Sequence, residues 1–304
     1  MSTRQTPLNA ILIGHGHWGQ ILARYITQSP YFHLLAIYGR DFGEIPPHTH
    51  TAFIATPLDS HYALSKQCLQ SNLCVFVEKP TCPNTKELQS LYDIAHKRGL
   101  RIYTDYIYLT SPSIAKIHTL IDSLGKLQRI ESCITQYGRF YKNEGALEVL
   151  GVHLLSVFVS LFKNLSLESC LKTSPYDVLL RLKTQDCPIT LHCSLESKRK
   201  RREIHIYGER GELHFDMLDS NPLCYVYGGR REYFGFDEGD NIAHTLSLYY
   251  EILHNEARYA NHRAIATRVL EIVQSCNTLA SKSKAYHQTM SQNLTIPSTK
   301  KGHI

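Results

Sequence analysis

Short, mostly apolar runs alternate with longer stretches of helical periodicity through the first third of the chain. The runs at 10–13, 33–38, 51–55, 74–77 and 101–104 predict buried strands, and the stretches at 18–28, 60–70 and 85–97 predict helices between them. Ser29-Pro30 stops the first helix. Asn84 and Glu87 stand at capping-box spacing before the third, and Gly99 closes it. Strands that are mostly apolar and separated by helices imply a doubly wound parallel α/β sheet with both faces covered.

After residue 110 the rhythm changes. Ser111-Pro112 marks a helix start and Gly125 its stop. The remainder of the chain reads mostly as strands, at 128–137, 177–183, 189–197, 203–207, 212–216, 223–227 and 232–236. One apolar helix is expected over 146–162, and two more, over 242–254 and 263–281, close the pattern. This predicts an α+β domain, a mostly antiparallel open sheet with helices, over 113–304, attached to an α/β domain over 1–112. Residues 285–304 read as a polar, loosely held tail.

Composition narrows the class. Of 304 residues, 43% are hydrophobic and 10% aromatic, too many for a disordered chain. The nine cysteines are odd in number, contain no C-x-x-C and sit mostly in apolar stretches, a pattern of free thiols in a reducing compartment. The longest apolar stretch, 149–162, is broken by Gly151, His153 and Ser156 and falls short of the roughly 20 residues that span a bilayer. The first apolar run is too short for a signal peptide. A cytoplasmic protein without a membrane partner is the expectation. The net charge of +6 is mild. Its one dense run, Lys198-Arg199-Lys200-Arg201-Arg202, reads as a solvated hairpin end, with no accompanying element that reads nucleic acid. His15 and His17, and again His48 and His50, lie two apart, but no set of three or four ligands converges, so no metal is expected.

The chemistry begins at Gly14-His15-Gly16-His17-Trp18-Gly19, a G-x-G-x-x-G between the first strand and the first helix. The first glycine permits the turn, the second lets a pyrophosphate approach the backbone, and the third lets the helix pack on the strand. The helix N-terminus then faces the phosphates. This is the fingerprint of a Rossmann domain that binds a dinucleotide. At the end of the second strand, Gly39 stands where an acid normally takes the NAD ribose, and Arg40 beside it can pair with the 2′-phosphate of NADP. Asp41, one step further, can serve NAD instead. NADP is the first expectation and NAD the second.

Four ordered features then make the chain resemble the Gfo/Idh/MocA family of oxidoreductases. They are the glycine loop, Ile54-Ala55-Thr56-Pro57 with His61, Glu78-Lys79-Pro80 after a strand, and Gly145-Ala146-Leu147 through Gly151-Val152-His153. Ile206-Tyr207-Gly208 with Gly211 resembles a hairpin of the family's second domain. The resemblance implies that Thr56, Pro57, His61, Glu78, Lys79 and Pro80 border the cofactor. It implies that Lys79 and His153 are catalytic, orienting a substrate hydroxyl and exchanging its proton as hydride moves. The implied substrate is a small molecule, a sugar, cyclitol or nucleotide-sugar, and the implied assembly a homo-oligomer formed through the C-terminal sheet.

The chain also departs from the family pattern. Val149 stands one helical turn before His153, where the family has an Asp, and Ser156 stands where a second acid is frequent. Glu148 is rotated by ~100° from the position of that Asp. Leu109 replaces a basic residue, and 40–51 is too short for the helix–strand–helix usually inserted there. The second functional expectation, motivated by Val149, is a cofactor-binding regulatory or sensor protein of the same fold without chemistry.

Overall fold

The computed structural model describes residues 6–39, 42–185 and 187–293, with side chains as far as 279. The first sheet holds five parallel strands, β1 (Leu8–Ile13), β2 (Phe32–Tyr38), β3 (Thr51–Ile54), β4 (Cys74–Glu78) and β5 (Ile102–Asp105), in the order β2-β1-β3-β4-β5. Helices α1 (His17–Gln28), α2 (Leu58–Gln70) and α3 (Thr85–Lys97) connect them. The Asn84 side chain accepts from the Glu87 N–H at 2.9 Å, the predicted cap of α3. Among the described residues no strand lies between β2 and β3, so β2 is an edge, as the short 40–51 segment requires. The strand order reverses between β1 and β3, which opens a crevice at their C-terminal ends.

Each face of this sheet has its own core. Leu69, Leu88, Leu91 and Ala95 of α2 and α3 cover Ile11, Ile13, Val75 and Val77. On the other face a row of rings, Phe32, Phe53, Phe76 and Tyr103, runs across four strands. Neighbouring centroids along β3, β4 and β5 lie 4.8 and 5.1 Å apart. Tyr249 seals that row. It comes from α6 (Asn241–His254), and its ring lies 5.4–5.7 Å from all four.

From β5 the chain passes through a 3₁₀ turn (Ile107–Thr110), α4 (Pro112–Leu120) and a second 3₁₀ turn (Ile121–Leu124) that ends at Gly125, whose φ is +73°. The second sheet has eight strands: β6 (Leu127–Tyr137), β7 (Leu165–Ser174), β8 (Asp177–Thr184), β9 (Cys187–Ser194), β10 (Glu196–Gly208), β11 (Gly211–Asp216), β12 (Leu223–Tyr227) and β13 (Arg230–Phe234). Their order is β13-β12-β11-β10-β6-β9-β8-β7, antiparallel except for the parallel β6–β9 pair. Helix α5 (Val152–Leu161), entered through a π-helical turn at Leu147–Gly151, and α7 (Glu256–Asn293) pack on its inner face.

Three sequence expectations need correction. Strand β7 was not foreseen, because LSLESCLKTS alternates only weakly. The basic run lies inside strand β10 rather than at a hairpin end, and Arg202 is 8% exposed. The first part of the expected polar tail, 285–293, is helical, since α7 continues to Asn293; residues 294–304 lie outside the described residues.

Candidate active site

The glycine loop follows β1 at the crevice, and its three glycines are held to different standards. A Cβ on Gly14 (φ +110°) would sit 2.3 Å from the Ala55 carbonyl oxygen, and one on Gly19 would sit 2.0 Å from the Gly14 carbonyl oxygen. These two are demanded by the turn and by helix–strand contact. Gly16 is different, because a Cβ there meets nothing within 4 Å. It is exposed, occupies the N-cap of α1, and no side chain caps that helix. An open, backbone-only cradle at an uncapped helix N-terminus fits a pyrophosphate. His17 is exposed beside it, while Trp18 is half-buried and turns its indole N–H onto the Glu78 carboxylate. Gly39 is exposed with free space around it. Arg40 and Asp41 lie outside the described residues.

Thr56 and Pro57 follow β3, with Pro57 as the N-cap of α2. His61 is 2% exposed, and its two ring nitrogens lie 2.9 Å from the Pro80 carbonyl oxygen and 2.8 Å from that of Thr56. Burial lowers its pKa against those two carbonyls. One ring nitrogen donates to one of these carbonyls and the ring fills the space between them, so His61 sits where the loop after β3 meets the loop after β4.

Glu78 ends β4 and Lys79 follows, joined to Pro80 by a cis peptide. The Lys79 Nζ donates to the Val149 carbonyl oxygen at 2.7 Å. The residue whose side chain breaks the family pattern therefore meets Lys79 through its backbone, from inside the π-helical turn. Such turns concentrate at functional sites. Burial lowers the Lys79 pKa, opposed by the charges of Glu78, Glu144 and Asp105. Glu144, in the loop before the π turn, has its pKa raised by burial, opposed by the charge of this lysine. Glu148 is engaged elsewhere, accepting from the Gly145 N–H and the Asn277 amide.

His153 lies in the first turn of α5, its ring stacked on Tyr108 at 4.9 Å and 20°. Its Nδ1 is buried without a hydrogen-bond partner. Burial drives its pKa well below the ordinary imidazole value, helped by the positive charges of Lys79 and Arg202. Arg202 donates to the carbonyl oxygens of Thr135 and Arg201, both at 2.7 Å, and to the Gln136 amide oxygen. Its charge also acts on Tyr108, whose phenol burial pushes up to about 12. The structure thus brings Lys79 and His153 into one electrostatic neighbourhood between the two sheets. Tyr108, Glu144, Arg202 and Asp105 join them, four residues that the sequence did not single out. Tyr108 was one ring among 19 tyrosines and Arg202 one charge in a run of five. Among the described residues no group of three or more His, Cys, Asp or Glu side chains is placed to hold a metal ion.

Comparison with known proteins agrees with the two-sheet fold. A family model described as an oxidoreductase family with an NAD-binding Rossmann fold matches residues 40–106. The uncharacterised oxidoreductase YhhX of Escherichia coli is 27% identical over 124 residues, 38% of this chain and 36% of that protein. The uncharacterised oxidoreductase sll0816 of Synechocystis is 26% identical over 220 residues, 60% of this chain and 58% of that protein. The matches thus span about a third and somewhat over half of these relatives. Among solved structures, a 3-ketoreductase from Actinomadura kijaniata, crystallised with TDP-benzene and NADP, superposes with a TM-score of 0.76 at 15% identity, over 88% of this chain and 96% of that one. A UDP-N-acetylglucosamine 3-dehydrogenase from Acidithiobacillus ferrooxidans gives 0.74 at 16% identity, over 88% and 97%. These two likenesses establish the fold.

Proposed function

We infer from one premise, that the chain belongs to the Gfo/Idh/MocA family of oxidoreductases, that it moves a hydride between a nicotinamide nucleotide and a sugar, cyclitol or nucleotide-sugar carbon. The nucleotide-sugar end of that range is supported by the two fold neighbours, a 3-ketoreductase crystallised with TDP-benzene and a UDP-N-acetylglucosamine 3-dehydrogenase, which share this two-sheet architecture. The bound nucleotide supplies the hydride acceptor or donor. Gly14, Gly16 and Gly19 form the cradle for its pyrophosphate, Arg40 its contact to a 2′-phosphate, and Thr56, Pro57 and Pro80 the walls near its reactive end.

One observation carries the chemical reading: the buried, partnerless Nδ1 of His153 beside Lys79. A buried polar atom left without a partner marks a place where a ligand completes the hydrogen bonding. In oxidation the substrate hydroxyl gives its proton to that nitrogen, while the Lys79 ammonium holds the oxygen as it becomes a carbonyl. In reduction the proton returns by the same route. The depressed pKa of His153 keeps the imidazole neutral and ready to accept. Lys79 is fixed for its part by the Val149 carbonyl, which replaces the missing acid as an anchor but cannot take a proton.

The assembly we propose is a homo-oligomer in the cytoplasm. It forms through the outer face of the second sheet, where Leu171 and Tyr233 are 59% and 56% exposed. All nine cysteines are unpaired, which suits that compartment.

The test is absorbance at 340 nm with NAD(H) and NADP(H) against a panel of sugars and nucleotide-sugars. Turnover should fall by about 10²–10⁴ in Lys79→Ala while the thermal shift caused by the cofactor persists. A chain that binds no nicotinamide nucleotide at millimolar concentration sinks the proposal. Binding without turnover on any substrate would favour the regulatory reading that Val149 suggests.

A further inference from the structure

Asp105 ends β5 directly beside Glu78 at the end of β4, in register across the parallel pair. Neighbouring strands run about 4.8 Å apart, so these side chains rise from one edge of the sheet on the same face. Asp105 is 3% exposed, its Oδ1 has no hydrogen-bond partner among the described residues, and the register sets its carboxyl group beside that of Glu78. Two carboxylates have no hydrogen to place between them. A bond between these groups requires one of them to be the acid.

We propose that Asp105 and Glu78 share one proton, and that this pair is the positioning device which sets the charge of Lys79 in place of the acid absent at residue 149. The second half of that statement rests on the oxidoreductase reading; the shared proton does not.

Charge balance favours one proton over none. With one proton the pair carries a single negative charge, which the Lys79 ammonium balances. Losing it would leave a second buried carboxylate whose only nearby cation among the described residues, Lys79, is already shared with Glu144 on the facing loop. Burial, then the Glu78 charge, pushes Asp105 well above the usual carboxylate range, and burial raises Glu78 as well. Trp18 from α1 donates its indole N–H to Glu78 and marks it as the member that keeps the negative charge. The other titratable groups that face the cluster are the Tyr103 phenol on β5, with its hydroxyl unpartnered, and His153 on α5, which faces Lys79. Neither supplies a second cation at neutral pH.

The indole is also the probe. Trp18 is the sole tryptophan of the chain, so its emission reports the ionisation of its carboxylate partner with no turnover needed. The wild-type emission should titrate in a step above the ordinary carboxylate range of about 4. In Asp105→Asn that step should move down by at least one pH unit, because the amide donates to Glu78 as the acid does but carries no charge. His17→Gln, measured alongside, should leave the step in place, which separates it from imidazole titration next to the indole. An emission flat between pH 4 and 9, or the same midpoint in wild type and Asp105→Asn, overturns the shared proton even if the enzyme turns over. The kinetic arm tests the coupling to Lys79. Asp105→Asn should keep kcat/KM within about threefold at neutral pH and lose the pH limb at which the pair deprotonates. Asp105→Leu, with no donor, should lose at least tenfold while its cofactor-induced thermal shift is unchanged. Equal losses in both variants would show that Asp105 works as a carboxylate, and would refute the proposal.

Discussion

Replacing Gly16 by valine separates binding from folding at the glycine loop. The backbone there is extended, with φ −72° and ψ −173°, a region that β-branched residues favour, and the new side chain meets nothing within 4 Å. The loss of a good N-cap residue is opposed by a reduced unfolded-state entropy worth about 0.4–1 kcal/mol. Stability should therefore change by no more than about 1 kcal/mol, or roughly 2–4 °C in Tm. Cofactor binding should suffer far more, because the isopropyl group occupies the place of the pyrophosphate. Losing two hydrogen bonds between backbone N–H groups and a phosphate, at about 1.5–3 kcal/mol each, weakens affinity a hundredfold or more. At a cofactor concentration of 100 Kd, wild type gains about 2.7 kcal/mol, a rise of roughly 5–10 °C; the variant, left near its own Kd, gains about 0.4 kcal/mol and roughly 1 °C. A thermal-shift titration reads both quantities on one plate. Gly19→Ala is the opposite control, since its methyl would lie 2.0 Å from a backbone oxygen and should cost the fold itself. Were Gly16→Val to bind the nucleotide as wild type does, the loop would not be the phosphate site, and the cradle argument would fail.

Arg40→Ala should weaken NADPH by roughly ten- to a hundredfold and NADH far less, with the difference shrinking as salt rises. If Asp41→Ala alone changes the ratio of the two dissociation constants, the ribose contact lies with Asp41. His262 is buried against Tyr103, its Nε2 accepts from the Thr104 N–H, and burial lowers its pKa to about 3 from 6.5. A depressed folded-state pKa contributes stability that is complete above about pH 6.5 and lost as pH falls toward 3, so wild type should lose Tm across that window more steeply than His262→Gln. Parallel pH–Tm curves for the two proteins would contradict this.

The sequence displayed what is local. The glycine loop, the cap at Asn84 and the Glu78-Lys79-Pro80 segment are each written in a few adjacent residues whose geometry is set by their own turn or strand end. The relationships that make the site work are not local. Asp105 acquires meaning only through its register with Glu78, which depends on how two parallel strands 27 positions apart align. Arg202 of β10 and Tyr108 of the 3₁₀ turn after β5 come together from distant parts of the chain, and in sequence each is lost among residues of its own kind. The π-helical turn around Val149 is invisible because an extra residue in a helix leaves its apolar pattern nearly intact. Arg40 and Asp41, where the sequence pointed to cofactor choice, lie outside the described residues, so that question belongs to the binding experiment.

Tyr249 has a consequence for synthesis. The rings of Phe32, Phe53, Phe76 and Tyr103 leave the ribosome in the first third of the chain, but the ring that closes over them arrives roughly 150 residues later, about 7–30 s at ~5–20 residues per second. Through that interval the nascent parallel sheet presents an aromatic face with no cover, a surface suited to chaperone contact or to mispairing with another unfinished chain. The aromatic face of the first sheet gains its cover only when α6 docks. A helix made after all thirteen described strands thus acts as the latch on the first sheet.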